Sequence, residues 1–191
     1  MSVIDGKSML EVLRDFVQKA ERADFSYMIT GSFAMSAYGE IRFTRDIDIV
    51  VEIERRNIER FFEIFAKDYY VSKNSISRAV ENSSMFNLIH LEKAVKVDCI
   101  VLKDDEFEKS KFARRREANI GELKFWTITK EDLIVSKLNW AKNSLSEMQI
   151  KDVANLTAND YDAEYVGVWI EKLALEDVWE KVSEWKIQHL K

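Results

Sequence analysis

The sequence predicts an α+β fold in which strands and helices alternate through the first two thirds of the chain and give way to a helical C-terminal region. Three observations carry this. Short runs of β-formers such as Tyr27-Met28-Ile29-Thr30, Asp46-Ile47-Asp48-Ile49-Val50-Val51 and Val95-Lys96-Val97-Asp98-Cys99-Ile100-Val101 recur up to residue 127. They show the period-two signal of strands. From Thr129 onward the apolar residues recur only at helical spacing. The chain is 47% hydrophobic and 33% charged, the balance of a folded protein rather than a disordered one. At 191 residues it suits one compact unit: a core over residues 1–128 and a helical region over 129–191 packed on it.

In order, Ser8-Met9-Leu10-Glu11 fits a capping box and opens a helix whose face holds Leu10, Leu13, Val17 and Ala20. Residues 27–30 form the first strand, 33–38 a short helix and 46–52 the second strand. Ile58, Phe61, Phe62 and Phe65 give a third helix over 55–66, its aromatics read as core packing. Residues 74–84 are polar and read as a loop or irregular edge. Residues 85–91 and 94–102 are strands joined by a tight turn at Glu92-Lys93. Lys96, Asp98 and Ile100 share one face of the latter, opposite Val95, Val97, Cys99 and Val101. Residues 104–113 are helical. Residues 114–118 and 122–127 pair across Asn119-Ile120-Gly121. Thr129 caps a helix with Leu133, Ile134, Leu138, Ala141 and Leu145 inside. Ser144-Leu145-Ser146-Glu147 opens the next, and two more follow. Trp140, Trp169, Trp179 and Trp185 read as full or partial core anchors.

The composition excludes several classes. The net charge of −5 argues against bulk nucleic-acid binding, which needs a basic surface. The single cysteine, Cys99, cannot form an internal disulfide and fits a reducing cytoplasm. No apolar run is long enough to span a membrane, and the N-terminus lacks a signal-peptide core. There is no proline, so turns fall to Gly, Asn, Asp and Ser.

The chemistry centres on Asp46 and Asp48. Two apart on a strand, they stand on one face while Ile47, Ile49 and Val51 turn to the core. Carboxylates held that close repel, and a divalent cation between them removes the difficulty. A half-exposed strand gives the same Asp-x-Asp pattern, so the pair alone is weak. Gly31-Ser32 ahead of a helix strengthens it, because glycine permits phosphate to approach the backbone. Asp98 on a later strand adds a third carboxylate, able to complete a site for one or two Mg²⁺ ions and to act as general base. Lys137 lies inside the apolar arc of its helix and Asp152 in a column with Met148 and Leu156. They could pair, with Lys137 facing phosphate, or Lys137 could snorkel to water. Of Arg42, Thr44 and Arg45, Arg42 is the preferred triphosphate contact. Arg114-Arg115-Arg116 is a solvated edge strand or a local nucleic-acid contact. His90 and His189 have neither metal-ligand nor triad spacing.

Gly31-Ser32, thirteen further residues, Asp46-x-Asp48 and the later Asp98 together resemble the nucleotidyltransferase superfamily with a DNA polymerase β-type core. The stretches RFTRDIDIVV and ITKEDLIVSKLNWAKNSLSEMQIKDV resemble, more narrowly, the AbiEii-type group, some of which are toxins of toxin–antitoxin pairs. The resemblance implies a mixed β-sheet carrying the aspartates, with helices packed behind. It implies transfer of a nucleoside monophosphate from an NTP to an acceptor hydroxyl on tRNA, protein or a small molecule, with release of pyrophosphate. It assigns metal to Asp46, Asp48 and Asp98, nucleotide to Gly31 and Ser32, and supporting roles to Lys137 and Asp152. Lys151 stands where many relatives carry arginine, and the chain is short for a full toxin of that group. An antitoxin partner is a further implication. The alternative is a non-catalytic protein of the same fold that binds nucleotide or a partner.

Overall fold

The computed structural model describes residues 6–40, 44–144 and 146–189. Arg42 and Leu145 lie outside the described residues. The elements run α1 (Gly6–Arg22), β1 (Tyr27–Thr30), α2 (Gly31–Ala34) continued by a 3₁₀ turn (Met35–Tyr38), β2 (Asp46–Val51), α3 (Ile58–Phe65), β3 (Tyr69–Tyr70), α4 (Lys73–Glu81), β4 (Met85–His90), β5 (Lys96–Val101), α5 (Glu106–Ala113), β6 (Arg116–Ile120) and β7 (Leu123–Thr127). Helices α6 (Lys130–Ser144), α7 (Glu147–Leu156), α8 (Ala163–Lys172) and α9 (Glu176–His189) complete the chain. Among the described residues, seven strands form one mixed sheet in the order β3-β4-β5-β2-β1-β7-β6. The α+β architecture and mixed sheet are therefore as expected.

The register of the central strands decides where chemistry can occur. β2 pairs parallel with β5, setting Asp46 opposite Lys96, Asp48 opposite Asp98 and Val50 opposite Ile100. β1 pairs antiparallel with β2, with Thr30 opposite Asp48, and β4 pairs antiparallel with β5, with Asn87 opposite Asp98. Directly opposed residues share a face. One row across four strands thus reads Asn87, Asp98, Asp48, Thr30, and the row beside it reads Ile89, Lys96, Asp46. The reverse face carries Ile47, Ile49, Val97, Cys99, Phe86 and Leu88, all buried. There α1 and α3 pack on the sheet through an aromatic chain: Phe16 meets Tyr27 and Phe65, and Phe61 meets Phe65, Phe86 and Phe25.

Several local readings change. Residues 73–81 are helical, because Ile76 and Ala79 bury one turn apart beneath a polar exterior. Ser8 lies within α1, since Gly6 and Lys7 extend that helix ahead of it. β6 begins at Arg116 and the turn tightens to Gly121-Glu122, because Ile120 pairs with Leu123. α7 starts after Ser146 rather than at Ser144, whose hydroxyl instead donates to the Trp140 carbonyl. Trp169 is buried, but Trp140 is 62% exposed. Residues 132–135 of α6 are buried all round, whereas its C-terminal half has an open side on which Trp140 stands. Thr129 caps α6 as expected: its hydroxyl oxygen accepts from the Asp132 backbone N–H at 3.2 Å.

Candidate active site

Asp48 sits at the centre of the polar row. Its carboxylate lies directly over Gly31, whose backbone is left-handed at φ +63°. A Cβ on Gly31 would fall 2.6 Å from Asp48 Cγ and 2.8 Å from its Cβ, and closer still to Oδ2. Glycine is therefore required twice, for its dihedral and for the space. The Ser32 backbone N–H lies near the same carboxylate and favours its ionised form. Burial first, then the charges of Asp46 and Asp98, push the Asp48 carboxyl up to about 6, against the opposing pull of the Lys137 ammonium and that N–H. Gly31→Ala is expected to cost about 1–2 kcal/mol from the left-handed backbone alone. The added clash should make the loss larger in the wild type than in an Asp48→Ala background, as read from urea midpoints.

Asp46 is fastened by Thr44, whose hydroxyl donates to Asp46 Oδ1 at 2.8 Å and lies 3.0 Å from its carbonyl. Asp98 is buried at 5% exposure. The Asn87 amide donates to its Oδ1, and the Lys96 ammonium lies 2.7 Å from its Oδ2. Lys96 also reaches Asp46 Oδ2 at 3.5 Å, and the Asp98 bond holds the ammonium above the ordinary lysine range. Lys96, Asn87 and Thr44 thus belong to the carboxylate group. Lys96 was legible as a neighbour of Asp98 on the alternating strand; its role as a bridge required the pairing partner.

Lys137 and Asp152 do meet. Lys137 Nζ donates to Asp152 Oδ2 at 2.7 Å and to Gln149 Oε1 at 3.1 Å, with both charged side chains 5% exposed. α6 also packs against α2, which brings Lys137 within electrostatic reach of Asp48. Five of the eight expected residues therefore lie on two facing walls: Asp46, Asp48 and Asp98 on the sheet, Lys137 and Asp152 on the helices. Gly31 and Ser32 form the turn between them, and Arg42 falls outside the described residues.

The arginine run is tied down by packing. Arg114 caps α5, lies 3.9 Å above the Tyr165 ring and reaches the fully buried Asp132 at 3.2 Å. Arg115 lies over Phe112 and Trp126, and Arg116 over Tyr38, to whose hydroxyl it donates. The run thus links the sheet edge to the helices while Arg114 and Arg116 stay exposed. Two surface hollows of about 380 and 340 Å³ lie between α5 and α8 around Trp169 and Lys172. Neither includes a member of the carboxylate group, and both are rimmed by carboxylates and lysines without a buried polar focus.

Residues 7–183 match a family profile described as a nucleotidyltransferase of unknown function (DUF6036). This chain belongs to that nucleotidyltransferase family. The match bears out the superfamily read from Gly31, Ser32, Asp46, Asp48 and Asp98; the profile's description names neither the AbiEii-type group nor a toxin. Solved structures that share the fold of this nucleotidyltransferase include the following three. The antibiotic-resistance factor ANT(2'')-Ia, in solution, has a TM-score of 0.63 at 15% identity, covering 97% of this chain and 100% of that one. The lincomycin-bound lincosamide antibiotic adenylyltransferase LnuA has a TM-score of 0.54 at 18% identity, covering 82% and 98%. An antigenic nucleotidyltransferase-like protein from Paracoccidioides brasiliensis has a TM-score of 0.56 at 16% identity, covering 95% of each chain. At these identities the likeness is one of fold. No match was found among curated proteins. Among the described residues, no helix is long and apolar enough to cross a membrane.

Proposed function

We propose that this nucleotidyltransferase moves a nucleoside monophosphate from an NTP to a hydroxyl of a small-molecule acceptor in the cytoplasm. The observation that carries the reading is the in-register pairing of Asp48 with Asp98 beside Asp46, opposite a buried lysine–aspartate pair. The donor chemistry suits Mg²⁺. Asp46 and Asp48 offer hard oxygens from one strand, and Gly31 leaves Asp48 room. Among the described residues no group of three His, Cys, Asp or Glu encloses an ion unaided. Mg²⁺ favours that situation, taking a carboxylate or two and completing its shell with water and substrate phosphates. When bound, the ion polarises the α-phosphate and acidifies the attacking hydroxyl.

The chain's own groups then divide the work. Gly31 and Ser32 bound the triphosphate at the turn. Lys137, held in place by Asp152 and Gln149, offsets charge on the leaving pyrophosphate. Asp98, oriented by Asn87 and Lys96, accepts the acceptor's proton as the new P–O bond forms at the α-phosphorus and the bond to pyrophosphate breaks. Helices α6 and α7 close the second wall of the cleft. Two observations support a small acceptor. The arginine run already engages Asp132, Phe112, Trp126, Tyr165 and Tyr38, though Arg114 and Arg116 stay exposed. Of the structures sharing the fold, LnuA is a lincosamide adenylyltransferase, and ANT(2'')-Ia has been seen with adenylyl-2''-tobramycin.

The test is incubation with Mg²⁺ and each α-labelled NTP against aminoglycosides, lincosamides and a small-metabolite extract. Label should pass to a small product with release of pyrophosphate. Asp46→Asn should lower the rate about 10³-fold, since metal charge stabilisation is worth several kcal/mol. Transfer that survives Asp46→Asn in a folded protein sinks the reading.

A further inference from the structure

Three of the four side chains in the square formed by Asp46, Lys96, Asp48 and Asp98 are carboxylates, and the fourth is an ammonium. We propose that Lys96 is a resident cation standing in for one of two divalent ions, so that the site loads a single ion, at Asp46 and Asp48. The proposal rests on the nucleotidyltransferase reading of the same site.

The argument begins with Asp98. Its side chain is 8% exposed, and a carboxylate so buried must be compensated within the protein. Asn87 satisfies one oxygen and Lys96 the other, at 2.7 Å. Lys96 reaches this position because two-residue alternation sets it on the Asp98 face, while the parallel register sets it against Asp46, 3.5 Å away. The ammonium therefore spans the edge of the square between the two strands. A divalent ion shared by Asp98 and Asp46 would have to lie against that ammonium, and like charges a few ångströms apart repel strongly wherever water is partly excluded. Asp48 is different. The Ser32 backbone N–H and the more distant ammonium of Lys137 both favour its ionised form, and among the described residues no lysine forms a salt bridge with it as Lys96 does with Asp98. Among the described residues, positive charge is thus most in deficit along the Asp46–Asp48 edge. The lysine stem reaches its place from a side chain that is 43% exposed, so its removal opens the position to solvent without emptying the core.

The experiment counts Mn²⁺ by electron paramagnetic resonance in the intact protein with a non-hydrolysable α,β-methylene NTP analogue. The wild type should hold one ion per chain. Lys96→Met should hold two, and Lys96→Met/Asp98→Asn should return to one. In a parallel melt without nucleotide, Mg²⁺ should raise the Tm of Lys96→Met several degrees more than that of the wild type, because the ion then compensates Asp98. Two ions in the wild type would overturn the proposal, leave the transferase reading standing and require no variant. One ion in both wild type and Lys96→Met would also overturn it. No ion in any protein would remove the metal site of the proposed function along with it.

Discussion

Asp48→Asn protein is expected to melt higher than the wild type at pH 8 in chelator, although it transfers no nucleotide. In the wild type the folded chain holds the Asp48 proton up to about pH 6, whereas the reference carboxyl releases it near 3.8. Between these values the folded state binds more protons than the unfolded one, so this group's contribution to stability falls as pH rises through the window. Above it, the ionised Asp48 costs about 2–3 kcal/mol relative to a neutral side chain. Asparagine keeps an acceptor for the Ser32 N–H and removes the charge that Asp46 and Asp98 oppose. For a chain of this size the gain should be roughly 5–10 °C in Tm. The difference should halve near pH 5 and nearly vanish by pH 4. A variant that melts below the wild type at pH 8, or a gap unchanged at pH 4, would show that Asp48 is not electrostatically strained.

The second large effect concerns the opposite wall. Lys137→Met strands Asp152 without its ammonium in a buried position, and removing one partner of such a pair costs about 3–5 kcal/mol. Lys137→Met/Asp152→Leu should recover most of that loss, because two apolar side chains leave no uncompensated charge. Denaturant unfolding of the two single variants and the double variant measures the coupling. Transfer activity should not recover with stability in the double variant, since the role proposed for Lys137 at the leaving pyrophosphate requires the ammonium itself. Activity restored together with stability would assign Lys137 to the scaffold alone.

Much of this architecture was written locally. Alternation at 46–51 and 95–101 gave both site strands and the correct face for each aspartate, since side-chain direction on a strand needs only a count of two. The inward lysine and aspartate were conspicuous because each interrupts an apolar helix face. The strand order was not legible. Whether Asp98 lies opposite Asp48 or one step away depends on a parallel pairing between segments fifty residues apart, and nothing in either segment specifies it. The role of Lys96 was hidden for that reason: beside Asp98 alone it is an ordinary strand lysine, and only Asp46 on the neighbouring strand makes it a bridge. Helix α4 was missed because Ile76 and Ala79 are few among polar residues, and tertiary burial rather than propensity fixes that turn. The arginine run does lie at a sheet edge with Arg114 and Arg116 exposed, but charge in sequence does not disclose the aromatic rings it lies on.

The parallel pairing of β2 with β5 also sets when the protein can first act. Parallel neighbours cannot be joined by a hairpin, so Asp48 waits for the chain to travel out and return before Asp98 reaches it. Such non-local pairing is intrinsically late in folding. On a ribosome adding roughly 5–20 residues per second, Lys137 follows Asp48 by about 5–20 s, and until then the carboxylate strands exist without the helical wall. A nascent chain therefore carries no competent cleft, and nucleotide chemistry begins only when Lys137 and Asp152 have been made and gathered around the central strand.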